Sequence, residues 1–149
     1  MGSPAEVVPV GEQLVSGGLR HELIAVVTQP ARPVGRKQIL TDPPLAQWAK
    51  SKNLLVLQPE KASDAGFLSE LAKLKPDVII TAAYGQILSD AFLKIPARAT
   101  INIHPSLLPR YRGATPVPAT ILDDVRDTGV SILFTVKALD AGNIVLAKH

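Results

Sequence analysis

The chain has 149 residues, a formal net charge of +3 at pH 7 and no cysteine, so one compact domain is expected and disulfides, zinc–thiolate sites and a cysteine nucleophile are excluded. Its hydrophobic content of 46% and charged content of 19% are ordinary for a soluble α/β domain. Because no apolar run reaches the ~18 residues of a membrane helix, no membrane partner is expected, whereas the mildly basic balance permits a nucleic-acid partner.

Strand-like and helix-like segments alternate along the chain. In chain order, the predicted elements are strand 22–28, helix 44–53, strand 54–58, helix 63–75, strand 77–83, helix 89–93, strand 99–104, helix 115–123, and strands 129–136 and 144–147. Alternation of this kind is typical of an α/β fold with a Rossmann-like, doubly wound, mainly parallel sheet. We therefore expect one layer of strands with helices on both faces.

One long connection, 29–43, shows neither pattern and is predicted to be irregular. It is rich in proline and carries three cations: Arg32, Arg36 and Lys37. Long loops inside compact domains are usually functional or disordered. The three cations are therefore either ordinary solvated charges or a contact for phosphate groups.

The end of the strand 99–104 carries the residues best suited to chemistry. Asn102 and His104 share one face, because side chains alternate along a strand, and Pro105 then ends the strand. An amide can donate a hydrogen bond to a developing oxyanion, and an imidazole can move a proton near neutral pH. Acyl-transfer chemistry needs both groups.

A carboxylate that orients His104 would complete this group. Asp140, in the turn 138–143 between two predicted strands, is the candidate, and Gly142 lets the backbone approach a ligand there. The alternative is a simple turn former, since aspartate often hydrogen-bonds its own backbone. Spacing alone leaves both readings of Asp140 open.

The segment 106–114, SLLPRYRGA, resembles the signature of the folate-dependent formyltransferases, and the likeness runs through most of the chain. The resemblance implies a formyltransferase catalytic core in which Asn102, His104 and Asp140 are catalytic. It also implies a binding site for the pterin and tail of 10-formyltetrahydrofolate, and no metal. The implied folate-binding residues are Tyr84, Gly85, Gln86, Ile87, Leu88, Ser106, Leu107, Leu108, Pro109, Ala138 and Leu139.

Within that family, the segment 28–36 most resembles the methionyl-tRNA formyltransferase branch, in which this loop inserts into the acceptor arm of initiator tRNA. The resemblance implies formyl transfer to the amino group of methionyl initiator tRNA, with Arg32, Arg36 and Lys37 on the RNA. It further implies a monomer in a cytoplasm of bacterial type, or else in a mitochondrial or plastid matrix. A small-molecule folate formyltransferase, a formyl-folate hydrolase and an inactive fragment remain alternatives.

The chain departs from the family pattern at both ends. Gly2-Ser3-Pro4 follows Met1 directly, where the family has a hydrophobic first strand. The helices and small β-barrel tRNA-binding domain that follow the catalytic core in the family are also missing. We therefore expect 1–149 to be an incomplete catalytic domain that lacks its first, central strand.

Overall fold

The computed structural model describes residues 1–16, 18 and 21–149. In that part of the chain the strands are β1 (Val26–Val27), β2 (Arg32–Val34), β3 (Ile39–Thr41), β4 (Val56–Leu57), β5 (Val78–Thr81), β6 (Ala99–His104), β7 (Val130–Phe134) and β8 (Ile144–Lys148). The helices are α1 (Val8–Ser16), α2 (Pro44–Ser51), α3 (Ala65–Lys73), α4 (Asp90–Leu93) and α5 (Pro116–Leu122), and a 3-10 helix, Ala5–Val7, precedes α1.

Every predicted strand and helix is present, usually shorter than predicted, and β6 has the predicted bounds. Side-chain caps explain where two helices begin. Asp64 accepts a hydrogen bond from Phe67 N at 3.0 Å at the start of α3, and Ser89 accepts one from Phe92 N at 3.2 Å at the start of α4. The helix α1 was not predicted, because its valines, proline and glycine are weak helix formers.

The sheet is mixed. β1 pairs with β4 and β5 pairs with β6 in parallel, as predicted, whereas β7 runs antiparallel to both β6 and β8. The segment 105–129 returns the chain to the end of the sheet that β6 has just left, where Ser131 pairs with His104. The connection from β7 to β8 is a hairpin, and a hairpin reverses the strand direction. β7 is therefore antiparallel to β6, and β8 is antiparallel to β7.

Two residues lie between the parallel pairs β1–β4 and β5–β6. Gly2 N donates to Val27 O at 3.0 Å, and Ala82 N donates to Met1 O at 2.9 Å. The Met1 amine also donates to Ile80 O. Met1 and Gly2 thus connect β1 to β5 at one level of the sheet. This is the central position that the resemblance gives to the family's first strand.

The segment 29–43 is not irregular, which corrects the prediction. It contains the antiparallel hairpin β2–β3, with Arg32 opposite Thr41 and Val34 opposite Ile39. Its turn closes where Gln38 N donates to Gly35 O at 3.2 Å. Proline normally argues against a strand, but an exposed two-stranded ribbon needs few ladder bonds and tolerates it.

Two buried clusters pack on opposite faces of the sheet, because the neighbours Val26 and Val27 of β1 belong to different clusters. The first cluster contains Val27, Leu57, Ala62, Phe67, Leu71, Ile79, Tyr84 and Phe92. The second contains Val7, Val26, Leu45, Trp48, Ala49 and Ala82. Helices on both faces of the sheet fit the predicted doubly wound α/β core. In the described residues, no helix has both the length and the apolar character needed to span a bilayer.

Tyr84 lies in the first cluster with 5% of its surface exposed, and its buried hydroxyl has no hydrogen-bond partner. Burial disfavours the phenolate and raises the pKa of Tyr84 to about 12 from an ordinary value of 10. A buried hydroxyl without a partner keeps its full desolvation cost. This hydroxyl therefore lowers the stability of the fold.

We expect Tyr84→Phe to raise the free energy of unfolding by about 1 kcal/mol, because it removes an unpaired buried hydroxyl. The folded-state pKa lies above the unfolded one, so ionisation of Tyr84 costs no stability below about pH 10 and lowers the free energy of unfolding as the pH rises toward 12. Urea unfolding across that range should show a shallower alkaline loss in the variant. Tyr111→Phe is the matched control, since its hydroxyl is bonded to Asp123 and its removal should destabilise. A destabilised Tyr84→Phe chain would contradict this description.

Candidate active site

Three predicted polar side chains meet at the end of β6. Asn102 Nδ2 donates to Asp140 Oδ1 at 3.3 Å, and Asp140 Oδ2 lies 3.6 Å from His104 Nδ1. The side chains of His104 and Asp140 are 5% and 8% exposed. Asp140 is therefore not only a turn former: its carboxylate faces the two residues at the end of β6.

The turn between β7 and β8 folds back closely enough to bring Asp140 to that position. Asp140 itself has φ +46°. A Cβ on Gly142 would lie 1.8 Å from Phe134 O, so only glycine fits there. Phe134 N donates to Asn143 O at 3.0 Å and closes the turn.

The hydrogen bonds of His104 fix which nitrogen carries a proton. His104 Nε2 lies 2.8 Å from Tyr111 O, and a carbonyl oxygen can only accept, so Nε2 must carry hydrogen. The other nitrogen, Nδ1, then faces the Asp140 carboxylate. An imidazolium satisfies both contacts, while a neutral ring would direct a lone pair at the carboxylate. Gly113 N also donates to Asp140 Oδ2, at 2.8 Å.

The amide of Asn102 is oriented from both ends. Its Oδ1 accepts a hydrogen bond from the Thr81 hydroxyl at 3.0 Å, and its Nδ2 must face Asp140, since a carboxylate accepts and cannot donate. One Nδ2 hydrogen is used in this bond. The second can donate to a developing oxyanion.

The implied folate segment 84–88 is buried at Tyr84, half-buried at Leu88 and most exposed at Ile87. The Tyr84 side chain lies in the core, and Leu88 packs against the same cluster. Gly85 has φ +79°, and Ile87 is 90% exposed. Gln86 fixes the loop from within: its Oε1 accepts from Ala62 N at 2.6 Å. In this segment, Ile87 is the apolar side chain free to meet a ligand.

Two buried serines shape the segment 106–109. The Ser106 side chain is fully buried, and its hydroxyl donates to Arg110 O at 2.7 Å. Ser131, which is also fully buried, donates to Ser106 O at 2.7 Å and accepts from Leu108 N at 3.1 Å. The remaining implied folate-binding residues are half-buried or exposed: Leu107, Leu108, Pro109, Ala138 and Leu139.

The three cations of the hairpin β2–β3 differ in their surroundings. Arg32 pairs with Glu60 at 2.7 Å on the surface, and Arg36 and Lys37 are exposed at the hairpin tip. Surface ion pairs contribute little and break easily. Arg36 and Lys37 are the cations of this hairpin most accessible to an anionic partner, whereas Arg32 would first have to leave Glu60.

Sequence reasoning missed several residues that hold the site together. Thr81, the polar end of β5, sits directly opposite Asn102, and that position was the signal available in the sequence. Gln29 was also missed. Its Nε2 donates to Tyr84 O at 2.9 Å and its Oε1 accepts from Gln86 Nε2 at 3.2 Å, so it joins the base of the hairpin to the segment 84–88. A glutamine in a predicted loop gives no sequence signal of this kind.

A groove of about 430 Å³ lies elsewhere, between the end of β4 and the start of α3. Its lining residues are Val56, Leu57, Gln58, Pro59, Glu60, Lys61, Asp64, Phe67 and Glu70. None of the predicted site residues lines it, and its lining residues include no imidazole. Among the described residues, no three histidine or acidic side chains form a group that could hold a metal ion. The end of β6 is therefore the better candidate for chemistry.

The sequence of the chain matches a known protein family. The sequence family described as formyl transferase matches residues 1–149. The methionyl-tRNA formyltransferase of Listeria innocua is 50% identical over 145 residues, which are 97% of this chain and 46% of that protein. That of Enterococcus faecalis is 48% identical with the same coverage.

The fold is also shared with solved formyltransferases. The crystal structure of phosphoribosylglycinamide formyltransferase from Bacillus halodurans superposes with a TM-score of 0.80 at 19% identity, covering 99% of this chain and 75% of that one. This likeness confirms the predicted fold class. The chain spans about half the length of the curated relatives that it matches. Since the family match extends over all 149 residues, the chain belongs to the formyl transferase family.

Proposed function

We propose that this chain carries the chemical centre of a methionyl-tRNA formyltransferase, which transfers the formyl group of 10-formyltetrahydrofolate to the amino group of methionyl initiator tRNA. The observation that carries the proposal is the convergence of Asn102, His104 and Asp140 at the end of β6. Relatives with 50% and 48% identity bear that name.

In the proposed reaction, the amine of the aminoacyl group attacks the formyl carbon and a tetrahedral intermediate forms with a negative oxygen. The new bond joins that carbon to the amine, the bond from the carbon to the folate nitrogen breaks, and one proton moves from the amine to that nitrogen. Asn102 Nδ2 donates its second hydrogen to the oxyanion. In other enzymes, one such donor lowers the barrier by about 3–4 kcal/mol.

His104 and Asp140 supply the matching charge. An imidazolium held between Tyr111 O and Asp140 lies beside the oxyanion and stabilises it electrostatically. Asp140 fixes the ring and compensates its charge. His104 also assists the proton transfer from the amine to the folate nitrogen through Nδ1, whose distance of 3.6 Å from Asp140 Oδ2 is longer than a hydrogen bond. The near-complete burial of both side chains strengthens these interactions, because water screens them little.

The folate would lie between the loop 84–88 and the turn that carries Asp140. Exposed apolar side chains, Ile87 and Leu139, suit the flat faces of a pterin, and backbone groups of both segments can pair with its edges. The buried side chains of Tyr84 and Ser106 act in this proposal by shaping their loops.

The hairpin β2–β3 would meet the RNA. Arg36 and Lys37 stand at its exposed tip, and cations on such a projection bind phosphate groups with an affinity that falls as salt rises. Arg32 would join them once its surface pair with Glu60 opens. This hairpin favours a tRNA substrate over a small amine.

The remaining parts of the proposal concern the protein as a whole. The chain spans 46% of the length of these relatives. We include in the proposal that the remaining part of such a protein contributes to tRNA binding. We expect a monomer acting in a cytoplasm of bacterial type, with an organellar matrix as the alternative. A small-molecule formyltransferase or formyl-folate hydrolase would not need the hairpin tip.

We expect Asn102→Ala and His104→Ala each to lower kcat for formyl transfer by about 10²–10³-fold, because each removes a group that stabilises the oxyanion. Asp140→Asn keeps the size of the side chain but loses the charge that faces His104, and it should lower kcat similarly. The measurement is transfer of labelled formyl to charged initiator tRNA, with circular dichroism to show that the folds are intact.

The matched control is Asp77→Asn, since Asp77 is an aspartate 80% exposed whose ion pair with Arg98 is long, at 4.0 Å. Its kcat should match that of the unaltered chain. The assay should be run on the chain alone and on the chain joined to the remainder of the Listeria innocua relative. Activity in the joined protein alone would favour the inactive-fragment alternative, and near-normal turnover in Asn102→Ala or His104→Ala would end the proposed mechanism.

We expect Arg36→Glu and Lys37→Glu each to raise KM for methionyl-tRNA with little change in kcat, because the hairpin tip is proposed to bind phosphate and not the reacting atoms. Each substitution should also reduce the slope of log affinity against log salt by about one. Arg126→Glu, which makes the same charge change at another exposed arginine, is the control. Unchanged KM and salt slope in both hairpin variants would favour the small-molecule alternatives.

A further inference from the structure

The segment 106–113, here called the strap, leaves the end of β6 and passes over His104 and Asp140. Two of its backbone groups contact the site: Tyr111 O accepts from His104 Nε2 at 2.8 Å, and Gly113 N donates to Asp140 Oδ2 at 2.8 Å. The strap therefore holds the histidine at the nitrogen that does not face Asp140, and it holds the carboxylate at the same oxygen that faces His104 Nδ1.

Tyr111 holds this position in an unfavourable backbone conformation. Its φ of +58° lies in the left-handed region that residues other than glycine rarely adopt. Such a conformation persists only where the surroundings enforce it. The carbonyl that faces His104 is thus directed by contacts that Tyr111 makes elsewhere.

Those contacts come from the tyrosine ring. The Tyr111 hydroxyl donates to Asp123 Oδ2 at 2.9 Å and accepts from Arg110 Nη2 at 3.1 Å. The Arg110 guanidinium also lies over the ring, 5.2 Å from its centre. Asp123 is the C-cap residue of α5, so the hydroxyl ties the strap to that helix.

The inner end of the strap is fixed as well. The buried Ser106 hydroxyl donates to Arg110 O at 2.7 Å, directly before Tyr111. With the strap held at Ser106 and at Asp123, the peptide between Tyr111 and Arg112 has little freedom to rotate. The direction of the Tyr111 carbonyl is consequently set by one buried serine and one surface carboxylate.

We infer that Tyr111 is a positioning residue for His104. Its phenol, clamped by Asp123, directs the Tyr111 carbonyl onto Nε2 and so fixes the proton there, which leaves Nδ1 to face Asp140. This inference adds a residue to the proposed formyl-transfer centre, and its predicted effect on turnover rests on that proposed function. The hydrogen bond between His104 Nε2 and Tyr111 O can be tested whether or not the proposed function holds.

The test combines an NMR measurement with kinetics. The chain has three histidines, and a His104→Gln variant assigns their signals. Two-bond ¹H–¹⁵N spectra of the 149-residue chain should show a single His104 form with hydrogen on both ring nitrogens. Tyr111→Phe and Asp123→Ala, which each remove one partner of the clamp, should both give exchange between this imidazolium and a neutral ring that has lost the Nε2 hydrogen.

In the same variants, kcat for formyl transfer should fall by about fivefold to tenfold, as expected for the loss of one hydrogen bond, with KM for both substrates unchanged. Asp123→Asn keeps an oxygen that can accept the phenol hydrogen and should restore both the His104 spectrum and kcat. The control is Asp127→Ala, which removes another exposed carboxylate near the end of α5.

A His104 spectrum that stays the same in Tyr111→Phe and Asp123→Ala overturns the inference, whatever the activity. If Tyr111→Phe does not fold, the His104 spectrum of Asp123→Ala, a substitution at the surface, tests the same inference. If the unaltered chain, alone and joined to the rest of a relative, transfers no formyl group, the proposed function fails. The spectra then still decide whether Tyr111 fixes the proton of His104.

Discussion

The arrangement at the end of β6 depends on one carboxylate. Asp140 accepts hydrogen bonds from Asn102 Nδ2 and Gly113 N and faces His104 Nδ1, so it joins the sheet, the strap and the β7–β8 turn. An almost fully buried charge is tolerated only when polar partners surround it. Removing this carboxylate would leave the amide, the imidazole and the strap without a common point of contact.

The sheet register supplies the other half of this geometry. Thr81 of β5 pairs with Asn102, and Ser131 of β7 pairs with His104, so each site residue of β6 has a hydroxyl residue opposite it on a neighbouring strand. Thr81 orients the Asn102 amide, whereas Ser131 binds the backbone of the strap. One-residue slippage would turn Asn102 and His104 to the other face of the sheet. The register thus places the two proposed catalytic residues of β6 beside their hydroxyl neighbours before any loop is considered.

Local patterns in the sequence predicted most strands and helices, because apolar periodicity, prolines and caps are local features, but they missed α1 and the hairpin β2–β3. Met1 and Gly2 bridging two strand pairs, and the return of β7 antiparallel to β6, depend on distant contacts that no local pattern encodes. Asn102, His104 and Asp140 were predicted individually from strand alternation and turn chemistry. Their partners were not, since Tyr111 and Gly113 contribute backbone atoms, which are the same in every residue.

Gly142 shows how a position without any functional group can decide the geometry of a proposed active site. The turn can double back on Phe134 only because no side chain stands in the way, and that reversal is what delivers Asp140. Copying the amide, the imidazole and the carboxylate onto another scaffold would therefore not reproduce the arrangement. Without so tight a turn, the carboxylate would lie too far from the amide and the imidazole. In comparing related chains, an alanine at this position is as informative as the loss of a polar group. It would mark a protein that has kept the fold but lost the proposed catalytic arrangement.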